Sequence, residues 1–179
     1  KSVALVQTGH IAEPGTAVFV ASSKSRRNTH DIARQVIGSG AQVIMAGGER
    51  FLLPQGVQGR HGPGEREDDM NLIAEAEAAG YTVVYTRDEL LALDVADVDK
   101  LLGIFAHNHT FNDQSRAQNL EDGKPTYWES APTLADMTRV ALDIVSRDED
   151  GFFAVIEEEG TDNLANNMNA AGTLAALTR

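Results

Sequence analysis

The sequence predicts an α/β domain built on a mostly parallel sheet with helices on both faces. Five short apolar segments alternate with helical segments along the 179 residues. Apolar segments without polar alternation are typical of strands that are buried on both faces, as in parallel sheets. A chain of this length suits a single domain with a full core. We therefore expect residues 1–179 to form one α/β domain, or a fragment of a larger one.

The predicted strands are short and rich in Val, Ile, Leu, Phe and Ala. They cover residues 2–7, 42–46, 81–85, 101–105 and 152–156. Segments of this length, bounded by Gly or polar residues, favour strands over helices. The last of them, FFAVI, is as apolar as the others, and we expect it to be buried as well.

The predicted helices follow from caps and from apolar spacing. They begin near Pro14 and cover 30–37, 71–79, 87–93 and 132–147, with a final Ala-rich helix in 167–179. Thr86 with Glu89 forms the sequence pattern of a capping box, and Pro132 suits the start of a helix. Leu134, Met137 and Val140 begin an apolar stripe of helical period.

Two long polar inserts separate these elements, at about 47–69 and 107–130. The first is rich in Gly and charge and offers almost no core residues. Loops of this length inside a compact domain are usually functional or mobile. We expect these inserts to shape a pocket or an oligomer surface.

Composition excludes several classes of function. The formal net charge is -12, so no basic patch is available to replace the counterions of nucleic acid. There is no cysteine, which rules out disulfides and thiolate metal sites. No apolar run approaches the length of a membrane span, and we expect no membrane partner. Strong acidity fits a protein that binds a hard cation, and equally one adapted to high salt.

The most informative stretch is the acidic end of the last strand. Glu157, Glu158 and Glu159 follow the apolar run, and Asp162 follows the turn at Gly160. In open α/β sheets, ligands bind beyond the carboxyl ends of the strands. Carboxylates crowded there repel one another unless a cation or a proton is shared among them. This pattern predicts a divalent-cation site; the alternative is a solvated acidic turn.

Three shorter motifs are candidates for binding. Glu13 and Thr16 offer oxygen ligands of the kind that Mg²⁺ prefers, and Arg26 could clamp a phosphate. His107 and His109 are a minor candidate for a metal site, since no third ligand is obvious in the sequence. The Gly-Gly pair at 47–48 lacks the spacing of a nucleotide-binding loop, so we interpret it as a tight turn.

Four segments together resemble the alkaline phosphatase family, in order and in spacing, over nearly the whole chain. They are the strand, Glu-Pro-Gly-Thr turn and Ser-Arg of residues 3–27; IMAGGE at 44–49; LLGIFA at 101–106; and residues 131–166, from APTLADMT through LDIVSRDEDGFF to the acidic strand end. The resemblance implies an alkaline-phosphatase-like fold. It also implies a metal-dependent phosphomonoesterase, in which two Zn²⁺ and one Mg²⁺ assist phosphoryl transfer through a serine.

By this resemblance, Glu157 corresponds to the carboxylate that binds Mg²⁺. Thr16, or Gly15 if there is no gap, falls at the hydroxyl that helps to bind the same ion, and Glu13 stands where the family carries an Asp or a His near it. The resemblance thus implies a magnesium site formed by residues that are distant in sequence.

The same resemblance assigns Asp162 as a Zn²⁺ ligand and Arg26 as the arginine that binds substrate phosphate. Asn166 stands where the family usually has a histidine ligand, four residues after Asp162, and an amide is a poor Zn²⁺ ligand. No residue of this chain matches the family's serine nucleophile or its later aspartate and histidine ligands.

We therefore expect the middle section of such an enzyme, with no catalytic nucleophile of its own and no turnover as an isolated chain. The expected partners are a phosphate monoester or inorganic phosphate, and the remaining parts of the phosphatase or a second copy in a homodimer. Family resemblance also implies a periplasmic or secreted protein. The alternatives are a non-catalytic domain that binds a divalent cation or phosphate, a purely structural module, and a related sulfatase or phosphodiesterase.

Overall fold

The computed structural model describes all residues from Lys1 to Arg179 and contains one five-stranded sheet. All neighbouring strands are parallel, in the order β3-β4-β2-β1-β5, which confirms the predicted fold class. The strands are β1 (Ser2–His10), β2 (Val43–Gly47), β3 (Thr82–Val84), β4 (Leu101–Ile104) and β5 (Phe152–Glu157).

Eight α-helices connect or follow these strands. They are α1 (Pro14–Ala17), α2 (Thr29–Ile37), α3 (Leu72–Ala78), α4 (Arg87–Leu91), α5 (Arg116–Glu121), α6 (Leu134–Val145), α7 (Gly160–Asn166) and α8 (Ala170–Ala176). Two short 3₁₀ helices lie at Glu49–Phe51 and Val95–Asp97. None of the helices combines the length and the apolar character that crossing a membrane requires.

The alternating side chains of the strands supply two cores, one on each face of the sheet. Leu5, Ile44 and Leu102 pack towards α1, α2 and α3. Val6, Met45 and Leu101 point to the opposite face and pack towards α4 and α6. This two-sided burial explains why β2, β4 and residues 3–6 of β1 are apolar without alternation.

Strand β1 is longer than predicted and reaches His10 instead of ending at residue 7. Its extra residues remain extended because the backbone of Thr8 and that of Ile11, just past the strand, pair with two distant segments. The Thr8 carbonyl accepts a hydrogen bond from the Thr110 amide (3.0 Å), and the Ile11 amide donates to the Gly47 carbonyl (3.0 Å). Both partners are far away in sequence, so the local pattern at 8–10 gave no strand signal.

The prediction that residues 47–69 lack core residues was wrong. Phe51, Leu52 and Leu53 are buried in the first core, and the Arg66 side chain is fully buried. Arg66 donates hydrogen bonds to the carbonyls of His30 (2.9 Å) and Phe51 (2.8 Å) and pairs with Asp68. A buried arginine therefore fastens this insert to the domain, although the many charged residues of the insert are typical of a loop that lies in solvent.

Strand β5 is not buried as predicted, because it lies at the edge of the sheet. Phe152, Phe153 and Ile156 are each more than 40% exposed, at 44%, 47% and 41%. Phe153 contacts Phe19, whose side chain is also exposed. An apolar sequence predicts a strand, but it does not show whether that strand has neighbours on both sides.

The 107–130 insert crosses the carboxyl end of β2, and the Gly pair at 47–48 makes that crossing possible. A Cβ atom on Gly47 would overlap the Asn108 carbonyl oxygen. Gly48 has a φ of 96° and donates its amide to the Ala106 carbonyl (3.0 Å). The predicted tight turn is confirmed, and its glycines allow the insert to approach β1.

Candidate metal and phosphate site

The site lies beyond the carboxyl ends of β1 and β5, which are adjacent and parallel. The register pairs Gln7 with Glu157, so the acidic segment after β5 lies beside the last residues of β1. A Cβ on Gly9 would lie 3.1 Å from Gln7 Oε1, Glu13 Cγ and Glu159 Cγ alike. Residues separated by about 150 positions in sequence are therefore gathered around one glycine.

Glu13 is the best-connected carboxylate of the site. Its side chain is 8% exposed, its Oε1 lies 2.9 Å from His10 Nε2, and its Oε2 accepts a hydrogen bond from Arg26 Nη2 at 2.9 Å. Burial opposes its ionisation, but the hydrogen bond with His10 and the charges of His10, His109 and Arg26 hold its pKa below the ordinary value. Glu13 is thus an anion at neutral pH.

Arg26 lies at this site, as predicted for a phosphate-binding residue, with 69% of its side chain exposed. One of its nitrogen atoms binds Glu13, so most of the guanidinium faces solvent. An arginine held on one side by a carboxylate can still donate two parallel hydrogen bonds to an oxyanion.

Glu157 is packed against the first turn of α1. A Cβ on Gly15 would overlap its carboxylate, so only glycine allows that approach. Its Oε2 is buried and has no hydrogen-bond partner. Burial and the negative charge of Glu13 raise the pKa of Glu157.

Thr16 is fully buried next to this carboxylate, and its hydroxyl accepts a hydrogen bond from Gln7 Nε2 (2.6 Å). The other amide atom, Gln7 Oε1, is buried without a partner. Gln7 carries no functional signal in the sequence, because a polar residue near the end of a strand is ordinary.

The other two glutamates of the acidic segment have different environments. Glu158 accepts hydrogen bonds from the Thr8 hydroxyl (2.8 Å) and the Gly160 amide (2.9 Å), so it fixes the turn between β5 and α7. Glu159 faces the site. Burial and the charges of Glu13, Glu157 and Asp162 raise its pKa to about 7.

Asp162 and Asn166 lie one turn apart on α7, a helix that the sequence analysis did not predict. Asn166 Nδ2 donates to Asp162 Oδ1 at 3.0 Å, and both side chains are exposed.

His109 is the functional candidate that the sequence analysis undervalued. The two histidines of the 107–109 motif separate: His107 Nε2 lies 3.0 Å from the Pro63 carbonyl, whereas His109 is buried beside β1. Donor atoms of His10, Glu13 and His109 all lie within 4.8 Å of one another. The third ligand was not obvious because it comes from β1, about 100 residues earlier.

Two buried acceptor atoms without donors, Glu157 Oε2 and Gln7 Oε1, border the carboxylates of Glu13 and Glu159. Buried acceptors are almost always paired, so a set that lacks donors fits a hard cation with oxygen ligands such as Mg²⁺. The Asp162 and Asn166 pair, with no nitrogen or sulfur ligand, does not by itself fit Zn²⁺. We therefore derive no zinc-dependent step from these residues.

Comparison with known proteins agrees with the fold and with the order of these elements. A sequence model of the family described as alkaline phosphatase matches residues 1–178. The chain is 36% identical over 138 residues to the membrane-bound alkaline phosphatase of Bombyx mori, covering 71% of the chain and 23% of that protein. It is 27% identical over 183 residues to alkaline phosphatase 4 of Bacillus subtilis, covering 99% of the chain and 34% of that protein.

Solved structures give the same result. The alkaline phosphatase of Thermus thermophilus superimposes with a TM-score of 0.76 at 31% identity, over 99% of this chain and 33% of that one. A magnesium-bound mutant of the alkaline phosphatase from the Antarctic bacterium TAB5 shares the fold, with a TM-score of 0.65 at 18% identity, over 98% of this chain and 44% of that one. The chain spans about a quarter to a third of the curated relatives that it matches. With a family match over 178 of its 179 residues, this chain belongs to the alkaline phosphatase family.

Proposed function

We propose that this chain supplies the magnesium-binding carboxylates and the phosphate-binding arginine of a metal-dependent phosphomonoesterase. The observation that carries the proposal is the convergence of Glu13 and Glu159 around Gly9, with Glu157 packed on Gly15 and close enough to interact with both carboxylates, and with Arg26 bound to Glu13. Family membership supports the reaction class. Magnesium, when bound, supplies positive charge that stabilises phosphate oxygens.

The chain's own residues would hold and orient the phosphate group. Arg26 would donate hydrogen bonds from the exposed side of its guanidinium, while Glu13 holds the other side in place. Glu157, packed on Gly15, would present oxygen to the cation, and Gln7 would hold Thr16 in position beside it. Glu159, whose pKa is about 7, would lose its proton as a cation binds.

We propose further that the isolated chain binds phosphate without hydrolysing its esters. The threonine hydroxyls of this region, those of Thr8, Thr16 and Thr161, each make a structural hydrogen bond. Thr8 is buried; it donates to Glu158 and also accepts from the Glu159 amide (3.0 Å), so this pair fixes the turn after β5 and does not present a nucleophile to a phosphate. Binding of cation and phosphate without turnover is also what a non-catalytic domain would show.

Calorimetric titration with inorganic phosphate in the presence of Mg²⁺ tests the binding role. We expect Arg26→Ala to weaken phosphate binding at least about tenfold, as for the loss of a charged hydrogen-bond donor. Arg27→Ala removes the adjacent exposed arginine and should bind as the unmodified chain does. Equal affinity in the two variants would refute the role of Arg26.

Thermal unfolding with added Mg²⁺ tests the metal role. Mg²⁺ should raise the Tm of the unmodified chain and not that of Glu157→Gln, because a ligand stabilises only the state that binds it. The matched control is Glu149→Gln, which changes an exposed glutamate before β5.

An assay with an aryl phosphate tests the proposed inactivity of the chain. Turnover by the unmodified chain that disappears in Glu157→Gln would contradict it.

A further inference from the structure

We propose that His10, Glu13 and His109 form a second cation site, beside the oxygen-lined magnesium site and sharing Glu13 with it, that binds a transition metal such as Zn²⁺ or Co²⁺. Two imidazoles and one carboxylate form a donor set suited to these metals and not to Mg²⁺. The proposal goes beyond the function proposed above and shares only Glu13 with it, whose Oε1 lies 2.9 Å from His10 Nε2 while its Oε2 lies 2.9 Å from Arg26 Nη2.

The distances already bring the donors close to a metal-binding arrangement. His10 Nε2 and Glu13 Oε1 are 2.9 Å apart, and one donor from each of the three residues lies within 4.8 Å of the others. Two donors at about 2.1 Å from a common ion can be at most about 4.2 Å apart. A small side-chain rotation of His109 would therefore suffice to complete the set.

The two histidines have nitrogen atoms without partners. His10 Nδ1 and His109 Nδ1 are both buried and make no hydrogen bond. His109 is 6% exposed, so water cannot readily replace a missing partner. Buried polar atoms are rarely left unpaired, and metal coordination of one ring nitrogen is one way to compensate the loss of hydration.

The fold holds His109 in place from both sides. The Thr110 amide and hydroxyl donate to the Thr8 carbonyl (3.0 and 2.9 Å), which fastens the insert to β1. The His109 ring lies between the His10 and Phe111 rings, with centroids 5.1 and 5.0 Å away. Ligands positioned by packing and by hydrogen bonds of their neighbours are what a specific metal site requires.

An entry path is also present. His109 lines a cavity of about 450 Å³, together with Trp128, Asn112 and Gln114. A cation can thus reach the His109 imidazole through this cavity. The alternative is that the stacked rings only fill space in the core, in which case no metal would bind to them.

Cobalt titration of the whole chain in saturating Mg²⁺ separates these possibilities, because Co²⁺ held by imidazole in a low-coordinate site absorbs strongly in the visible range. We expect saturable absorption with one equivalent of Co²⁺. The variant His109→Phe keeps a ring between His10 and Phe111 but removes the nitrogen, and should lose at least about tenfold in affinity. The control His107→Phe should bind Co²⁺ as the unmodified chain does.

Nuclear magnetic resonance identifies the metal ligands directly. In ¹⁵N-resolved spectra of the imidazoles, Zn²⁺ should shift the ring nitrogens of His10 and His109 and leave those of His107 unchanged. Unshifted His10 and His109 resonances, or equal Co²⁺ affinity in His109→Phe and the unmodified chain, would overturn the proposal. Because Mg²⁺ and phosphate binding are measured separately, failure of this site is distinguishable from failure of the proposed function.

Discussion

Burial and three neighbouring carboxylates raise the pKa of Glu159 to about 7, from 4.5 in an unfolded chain. The folded protein therefore keeps a proton that the unfolded chain releases between pH 4.5 and about 7. The contribution of this proton to the free energy of unfolding is fully present below pH 4.5 and is lost as the pH rises through this window.

We predict that Glu159→Gln stabilises the metal-free chain at pH 8 and has almost no effect at pH 4. The gain at pH 8 should be about 1–2 kcal/mol, less than the full shift implies, because the side chain is only half-buried and solvent screens its neighbours. Urea unfolding at both pH values in the presence of a chelator measures it. Glu149→Gln, which is exposed, should show no such gain, and an equal effect of Glu159→Gln at both pH values would contradict the prediction.

A second prediction at this scale concerns Gly15, whose missing side chain makes room for Glu157. Gly15→Ala should displace the Glu157 carboxylate and destabilise the fold by about 1–3 kcal/mol, as overpacking usually does. It should also weaken the rise in Tm that Mg²⁺ causes. Gly38→Ala adds a methyl group at the end of α2, away from the site, and should keep the Mg²⁺ response. An unchanged response in Gly15→Ala would show that Glu157 is not a ligand.

The sequence predicted individual site residues only where they directly follow a predicted strand. The acidic segment after β5 and the turn at Glu13 could be found because both follow apolar strands. The position of His109 beside His10 could not be predicted. It depends on the 107–130 insert crossing Gly47, a contact between segments about 60 residues apart.

At the scale of elements, all five strands were predicted from the sequence, but the residues at which they begin and end were predicted less well. Helix α7 was missed because Gly160 and Thr161 are typical of a turn, while the structure begins the helix there by directing the Gly160 amide to Glu158. The capping box at Thr86 and Glu89 was confirmed, because both of its hydrogen bonds lie within one turn. A cap whose hydrogen bonds are encoded by residue type was thus predictable, whereas a Gly-Thr pair that fits both a turn and a helix start was not.

The 47–69 insert provides the prediction that belongs to this scale. Arg66→Met should destabilise the protein by about 3 kcal/mol or more, because it leaves two buried carbonyls and Asp68 without their partner. Chemical unfolding measures the loss. Arg60→Met removes a 60% exposed arginine that pairs with Glu89, and should change stability by no more than about 0.5 kcal/mol. Similar losses in the two variants would mean that the insert is not anchored by Arg66.

At the scale of the whole molecule, several apolar side chains on and near β5 are exposed. The set consists of Val18, Phe19, Phe152, Phe153 and Ile156, each more than 40% exposed. The outer edge of β5 also has no neighbouring strand. An exposed edge strand with apolar side chains is a site of association between chains.

We predict that the isolated chain self-associates through this edge as its concentration rises, in spite of its net charge of -12. Phe153→Lys places a charge on the edge strand and should shift the molecules towards monomer, which sedimentation velocity measures. Leu174→Lys introduces the same charge on the exposed surface of α8 and should leave the association unchanged. The two variants introduce the same charge, and only Phe153→Lys places it beside the unpaired edge of β5. Equal association of the two variants would therefore mean that this edge does not govern assembly.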